Sequence, residues 1–282
     1  MIINTKVYKT QFSKETMDNS YIRLVPREVR EADWPVARFL SEENQTKYEE
    51  AIRQFEGNAY NSLNVPINGS NLWKVLFLNQ IGIRTATIPE LEDALDNGMN
   101  LRRYYEDGRE VILRSRNDSC KNNNYLSEKL AKDLKLKSFK HPYIIKGLTI
   151  KQSEVSENEN PYGLEFVVDD AEVIEAPDFS RDGNFKRVNP DYTIEFDNCA
   201  VRKHYLRKDG LSRLYLDVAL GLLSSDGHLA DLGSRGRVVE ISAEGTRKNF
   251  EEYLKKLNEE RNKQKADLER RYGNAMNILQ GN

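Results

Sequence analysis

Two stretches of this chain interleave cations with tyrosine. One reads Arg102-Arg103-Tyr104-Tyr105, followed by Arg109, Arg114 and Arg116; the other reads Arg202-Lys203-His204-Tyr205, followed by Arg207, Lys208, Arg213 and Tyr215. Cations that meet phosphate beside aromatic faces that stack on bases are the chemistry of single-stranded nucleic-acid binding. The same residue types are ordinary on exposed strands. Arg102, Arg103, Tyr104, Arg202, Lys203, His204, Tyr205, Arg207, Lys208 and Arg213 are therefore the candidate binding surface.

Charge is also segregated. Residues 154–178 hold nine carboxylates and no Lys or Arg, whereas 202–213 hold five basic residues and His204 against Asp209 alone. The two segments are expected to pair across strands, or else to form separate surfaces of opposite sign. Asp178, Ser180 and Asp182 before Gly183 imitate the start of a calcium loop, but Lys186 and Arg187 lie inside it and its twelfth position is Asn189. A turn is the better reading, and no metal or other cofactor is expected. His141, His204 and His228 share no ligand spacing, and no phosphate loop, dinucleotide fingerprint or nucleophile elbow is present. An enzyme would need a site assembled from separated residues such as His204, Asp209, His228 and Asp231.

The elements that must position these residues follow from pattern. Residues 1–100 read as mostly helical, with Pro35 in the first turn of a helix over 36–40 and Gly57 as a stop. Ser70 is the expected cap of a buried element over Leu72–Ile81. Thr87-Ile-Pro-Glu90 is a capping box opening a helix that ends at Gly98. Residues 101–245 read as a mainly antiparallel β body with one inserted helix over Tyr125–Leu134. Asp-Gly steps at 107, 182, 209 and 226 suit hairpin turns. Three of them are expected to join strands: 102–106 to 109–114, 201–206 to 211–218, and 220–223 to 228–232. A further pair, 164–168 with 172–175, is expected across Asp169-Asp170. Residues 211–222 also fit a helical face, but Gly221 and the bracketing Asp-Gly steps favour strand.

Residues 246–282 read as one long charged helix. Between Arg247 and Arg271, 15 of 25 residues are charged, and Glu251/Lys255 and Glu259/Lys263 are favourable i,i+4 pairs. Phe250, Tyr253, Leu254 and Leu257 form a short apolar face for a partner helix or a second copy. The stripe then fails, so no coiled coil is expected.

The fold class is thus α+β: a helical N-terminal part, an antiparallel body and a charged terminal helix. Net charge is −2, with 38% hydrophobic and 31% charged residues. No bulk basic field draws the chain to nucleic acid. No apolar run reaches membrane-span length and no signal-peptide pattern opens the sequence, so the expectation is a cytoplasmic protein with no membrane partner and with Cys120 and Cys199 reduced. The residues favour a non-enzymatic binding or assembly protein, with a nucleic-acid-binding accessory protein as the alternative.

Overall fold

The computed structural model describes residues 37–231 and 235–241. Ala37–Ser242 belong to one compact unit. Among the described residues there are five α-helices, joined to a mainly antiparallel nine-stranded sheet and two two-stranded ribbons. The expected terminal helix, with Phe250, Tyr253, Leu254 and Leu257, and the expected structure of residues 1–36 lie outside the described residues.

The chain enters through β1 (Ala37–Phe39), a strand where the sequence suggested a helix. Its partner is β13 (Val239–Ile241), and Ala37 lies opposite Ile241. Helix α1 (Glu42–Ala51) opens on Ser41, whose Oγ accepts from Asn44 N at 3.3 Å, with Glu42 and Glu43 favourably placed in its first turn. Helix α2 (Gly57–Leu63) begins at Gly57 rather than ending there.

Helix α3 (Leu72–Gln80) is buried on nearly every side. Its cap is Asn71, which accepts from Lys74 N at 2.8 Å, and not Ser70, whose hydroxyl donates to Asp107 at 2.9 Å. Asparagine and serine cap equally well; the neighbouring carboxylate decides between them. Lys74 is buried within this helix, and its ammonium donates to the carbonyls of Pro66 and Gly69 at 3.1 and 3.0 Å.

Helix α4 (Ile88–Asp96) shows how completely a helix start can be satisfied. Ile88 N–H donates to Glu110 at 2.9 Å, and Pro89 has no N–H. Glu90 N–H donates to the Thr87 hydroxyl at 3.3 Å, and Leu91 N–H to the Thr87 carbonyl at 2.9 Å. The Glu90 carboxylate returns to Thr87 N–H at 2.8 Å. All the orphan donors of the first turn are thereby accounted for. At the other end Gly98 adopts φ 89°, and Met99 N–H reaches back to the Ala94 carbonyl.

The large sheet runs in the order β6 (Glu172–Glu175), β3 (Tyr143–Lys146), β2 (Tyr105–Leu113), β10 (Leu211–Leu216), β11 (Leu222–Ser224), β9 (Arg202–Leu206), β7 (Gly183–Val188) and β8 (Ile194–Phe196). Strand β12 (Gly236–Arg237) pairs in parallel with the start of β2. Helix α5 (Asn124–Asp133) is the inserted helix, as expected. Strand alternation splits the apolar residues between two cores. Val111, Leu113, Ile145 and Leu211 meet α3 and α5 on one face, while Ile112, Ile144, Leu214 and Leu216 meet α4 on the other.

Three expected hairpins are not formed. Asp107-Gly108 lies inside β2, continuous from Tyr105 to Leu113. Gly108 answers a demand for space: an added Cβ would stand 2.3 Å from a Glu110 oxygen and 3.0 Å from Ile88. Asp209-Gly210 is a true turn, with Gly210 at φ 64°, but β11 separates the strands it connects. Residues 225–231 form no strand, so Asp226-Gly227 joins nothing. The tight hairpin is instead Asp217–Gly221, whose Asp217 carboxylate accepts from Ala219 and Gly221 N–H at 2.8 and 2.7 Å.

The pairing of 164–168 with 172–175 is also corrected. Strand β5 (Leu164–Val167) pairs with β4 (Thr149–Gln152), and β6 pairs with β3. The four make one long bent ribbon. Gly147, at φ 75°, lies at its corner, where a Cβ would meet the Asp170 carbonyl at 2.4 Å. Residues 211–216 are strand, as preferred.

Thr87→Ala removes the capping hydroxyl and is expected to cost about 1 kcal/mol. Gly210→Ala, which must hold φ 64° and drive a methyl onto Asp118, is expected to cost more than about 2 kcal/mol. Urea unfolding of both variants measures the difference.

Candidate functional site

Tyr104 and the first residues of strand β2, Tyr105-Glu106-Asp107, form one run, and alternate residues along it point to opposite faces of the sheet. On one face Tyr104 and Glu106 hold Arg237. Its guanidinium lies 3.9 Å from the Tyr104 ring centre and 3.9 Å from that of Phe39, and it donates to Glu106 Oε1 at 2.6 Å. On the other face Tyr105 and Asp107 hold Arg213. That guanidinium lies 5.5 Å from Tyr105 and 4.4 Å from Tyr215, pairs with Asp107 at 3.3 Å and with Asp226 at 2.9 Å. Four consecutive residues thus supply a ring and a carboxylate to each of two arginine cages.

The cages differ in depth. Arg213 is 2% exposed, whereas Phe39 and Tyr104 are 40% and 38% exposed. Burial raises the Asp107 pKa while Arg213 opposes it. For Arg213, Asp107 and Asp226 outweigh the cost of burial and hold the guanidinium charged. Burial also pushes Glu106 up to about 7 against the pull of Arg237, and its Oε2 is buried with no hydrogen-bond partner. Glu110, further along the strand, is likewise pushed up to about 7 by burial; its Oε1 accepts from Tyr192 OH at 2.7 Å as well as from Ile88 N–H.

The far end of β2 carries Arg114 into a second buried network. Its Nη1 donates to Ser212 Oγ at 2.9 Å and its Nη2 to Ser224 Oγ at 2.8 Å. His204 Nε2 lies 2.9 Å from Ser224 Oγ, and Nδ1 lies 2.9 Å from the Arg181 carbonyl. A carbonyl only accepts, so Nδ1 carries the proton and Nε2 accepts from the serine. Burial brings the His204 pKa down to about 4, so the ring is neutral. This serine–histidine contact resembles a nucleophile with its base, but Ser224 and His204 are both 0% exposed, so no substrate reaches them.

The structure separates the residues that the sequence grouped as one surface. His204 and Arg213 are interior. Arg202 makes a two-point contact with the buried Glu92 at 2.6 and 2.7 Å, and Arg207 pairs with the buried Asp118. Lys203, Tyr205, Lys208, Arg102, Arg103 and Tyr104 are exposed. The acidic and basic segments do not neutralise each other: Glu165 pairs with Lys151 at 3.7 Å and Glu172 with Lys146 at 3.0 Å. Asp209 serves Ser119 and Arg207, so it is engaged away from His204.

In the calcium-like loop, Asp178 accepts from Ile194 N–H and Asp182 from Leu206 N–H. Among the described residues no three His, Cys, Asp or Glu side chains are grouped to hold a metal ion, and no helix is long and apolar enough to cross a membrane. Phe39, Glu106, Asp107 and Arg237 are the members of the cages that motif reasoning passes over. The signal that finds them is the i,i+2 repeat of aromatic and acid in 104–107. Comparison with protein-family models, curated proteins and solved structures gives no match to this chain.

Unfolded histidine takes a proton near pH 6.5, whereas His204 in the fold does so only near 4. Its contribution to stability is present above pH 6.5 and declines by about 3 kcal/mol as pH falls to 4. Nitrogen-detected NMR at pH 5 is expected to show His204 neutral and protonated on Nδ1, and a charged ring would contradict the network. Arg213→Met strands Asp107 inside the protein and is expected to cost about 3–5 kcal/mol. Arg237→Met strands Glu106, which is just as buried, and is expected to cost a similar amount in the same denaturation experiment.

Proposed function

We propose that this chain is a non-enzymatic binding protein whose β body contacts a protein partner through the surface around Arg237. One observation carries the proposal. Among the described residues six large hydrophobic side chains are exposed, and three of them, Phe39, Tyr104 and Val218, are linked in one neighbourhood. Arg237 stacks between the two rings, and Arg103 N–H donates to the Val218 carbonyl at 2.9 Å. A clustered apolar patch with charged margins is the usual mark of an interaction surface, and Tyr and Arg are the residues that most often dominate binding energy.

Arg102 and Arg103 flank the patch and, among the described residues, have no carboxylate within 4.0 Å. The surface therefore suits a partner with an apolar centre and an acidic margin. Nucleic acid suits it less well, because Arg237 already lies over both rings and all three arginines in 202–213 are engaged by internal carboxylates. The apolar face of Phe250, Tyr253, Leu254 and Leu257 enters the proposal from sequence alone, as a second contact to a partner helix or another copy.

A photo-crosslinking residue in place of Val218 in the full chain is expected to trap a discrete protein adduct in cells. The same residue in place of the exposed Asn158 should trap none. Arg102→Glu with Arg103→Glu should abolish the adduct without changing the melting temperature. An adduct from position 218 that survives this charge reversal, no adduct at all, or an adduct with nucleic acid would overturn the proposal.

A further inference from the structure

A second exposed surface is built from cations that the fold leaves unpaired. Residues 116–146 contain eight Lys or Arg (116, 121, 129, 132, 135, 137, 140, 146) and three acids (118, 128, 133), a local excess of five in a chain whose net charge is −2. The acids do not cover the end of the segment: Asp118 is engaged by Arg207 and Asp133 by Lys129. Lys132, Lys135, Lys137 and Lys140 are all exposed. Among the described residues none of the four has a carboxylate within 4.0 Å, whereas Lys129 and Lys146 do.

The backbone beneath them is fixed. Helix α5 closes with Leu136 N–H reaching the Ala131 carbonyl at 2.9 Å, and Lys135 holds the left-handed position at φ 56°. Glycine fills that position in most such closures because a side chain there is strained. Here the sequence accepts the strain and keeps an ammonium. Arg116 Nη2 donates to the Leu136 carbonyl at 2.7 Å, and Tyr143 OH to the Ser138 carbonyl at 3.0 Å. Phe139 packs edge-on against Tyr143, with ring centres 5.8 Å apart.

We infer that the Lys132–Lys140 surface binds the phosphate backbone of duplex nucleic acid without reading its sequence. Unpaired lysines on a pinned backbone supply point charges that displace counterions from phosphate. A protein partner would want an apolar centre, and lysine is depleted from such centres; none of the exposed large hydrophobics lies between 116 and 146. A bilayer would need an inserted apolar group besides the charges for stable attachment. This inference is independent of the protein-partner surface around Arg237.

The test is anisotropy of a short labelled DNA duplex titrated with the full chain. Four phosphate contacts predict a roughly 100-fold loss of affinity between about 50 and about 200 mM salt. Replacing Lys132, Lys135, Lys137 and Lys140 together by Gln should abolish both the binding and its salt dependence. Arg53→Gln, at an exposed cation outside this segment, should leave binding unchanged. Lys135→Gly separates function from folding, since it should raise the melting temperature while making the salt dependence shallower by about one phosphate contact. No duplex binding, binding insensitive to the four lysines, or tighter binding to phosphatidylserine vesicles or to poly-glutamate than to duplex would overturn the inference.

Discussion

The structure depends on the burial of charge along one strand. Strand β2 lies inside the sheet and carries Glu106, Asp107, Glu110 and, just past its end, Arg114, all between 0% and 7% exposed. A buried charge without a partner costs several kcal/mol, so each must be met from elsewhere in the chain. Arg237 comes from β12, Arg213 from β10, the start of α4 and Tyr192 meet Glu110, and Ser212 and Ser224 meet Arg114. These demands fix register. A slip of one residue would turn Glu106 toward Arg213 and Asp107 toward Arg237, and would also exchange the two cores. Pairs of this kind add little net stability beyond an apolar equivalent. The apolar half of the same strand, Val111–Leu113, supplies the burial energy, and the charged half supplies the specification.

That constraint redistributes the basic residues. A guanidinium consumed by Asp107, Glu92 or Asp118 is unavailable to a ligand, so most of 202–213 contributes to architecture. What remains at the surface is of two kinds. Around Arg237, rings and arginines stand together, as suits a protein contact. Beyond α5, lysines stand without exposed apolar neighbours, as suits phosphate. The two arrangements differ in chemistry because one is the outer wall of a cage, whereas the other is a helix end whose four exposed lysines, among the described residues, have no carboxylate within 4.0 Å.

The parts of the fold legible in the sequence are those governed by local chemistry. The Thr87–Glu90 box and its Gly98 stop, the inserted helix and the strand at 211–216 all depend on neighbours within a few residues. The misread parts are those in which a distant residue overrules a local preference. Asp107-Gly108 has the composition of a turn, but distant partners, Arg213 106 positions away and Ser70, hold it in an interior strand. Ser70 loses the cap of α3 to Asn71 because Asp107 takes its hydroxyl. Asp169-Asp170 marks a real corner, but the strands on either side continue one another along a ribbon whose other half is 143–152. Tyrosine stands beside arginine at 102–104. Whether such a pair faces a ligand or a buried carboxylate depends on pairings that no local pattern encodes.

Hydrogen exchange resolved by residue tests the central claim most directly. If Tyr105–Leu113 is an interior strand organised by its buried charges, the amides of this segment, Asp107 and Gly108 among them, should exchange as slowly as those of Leu211–Leu216, close to the limit set by global unfolding. Rapid exchange at Asp107 and Gly108 beside slow exchange at Val111–Leu113 would mean that the charged half is an open turn and would contradict the account.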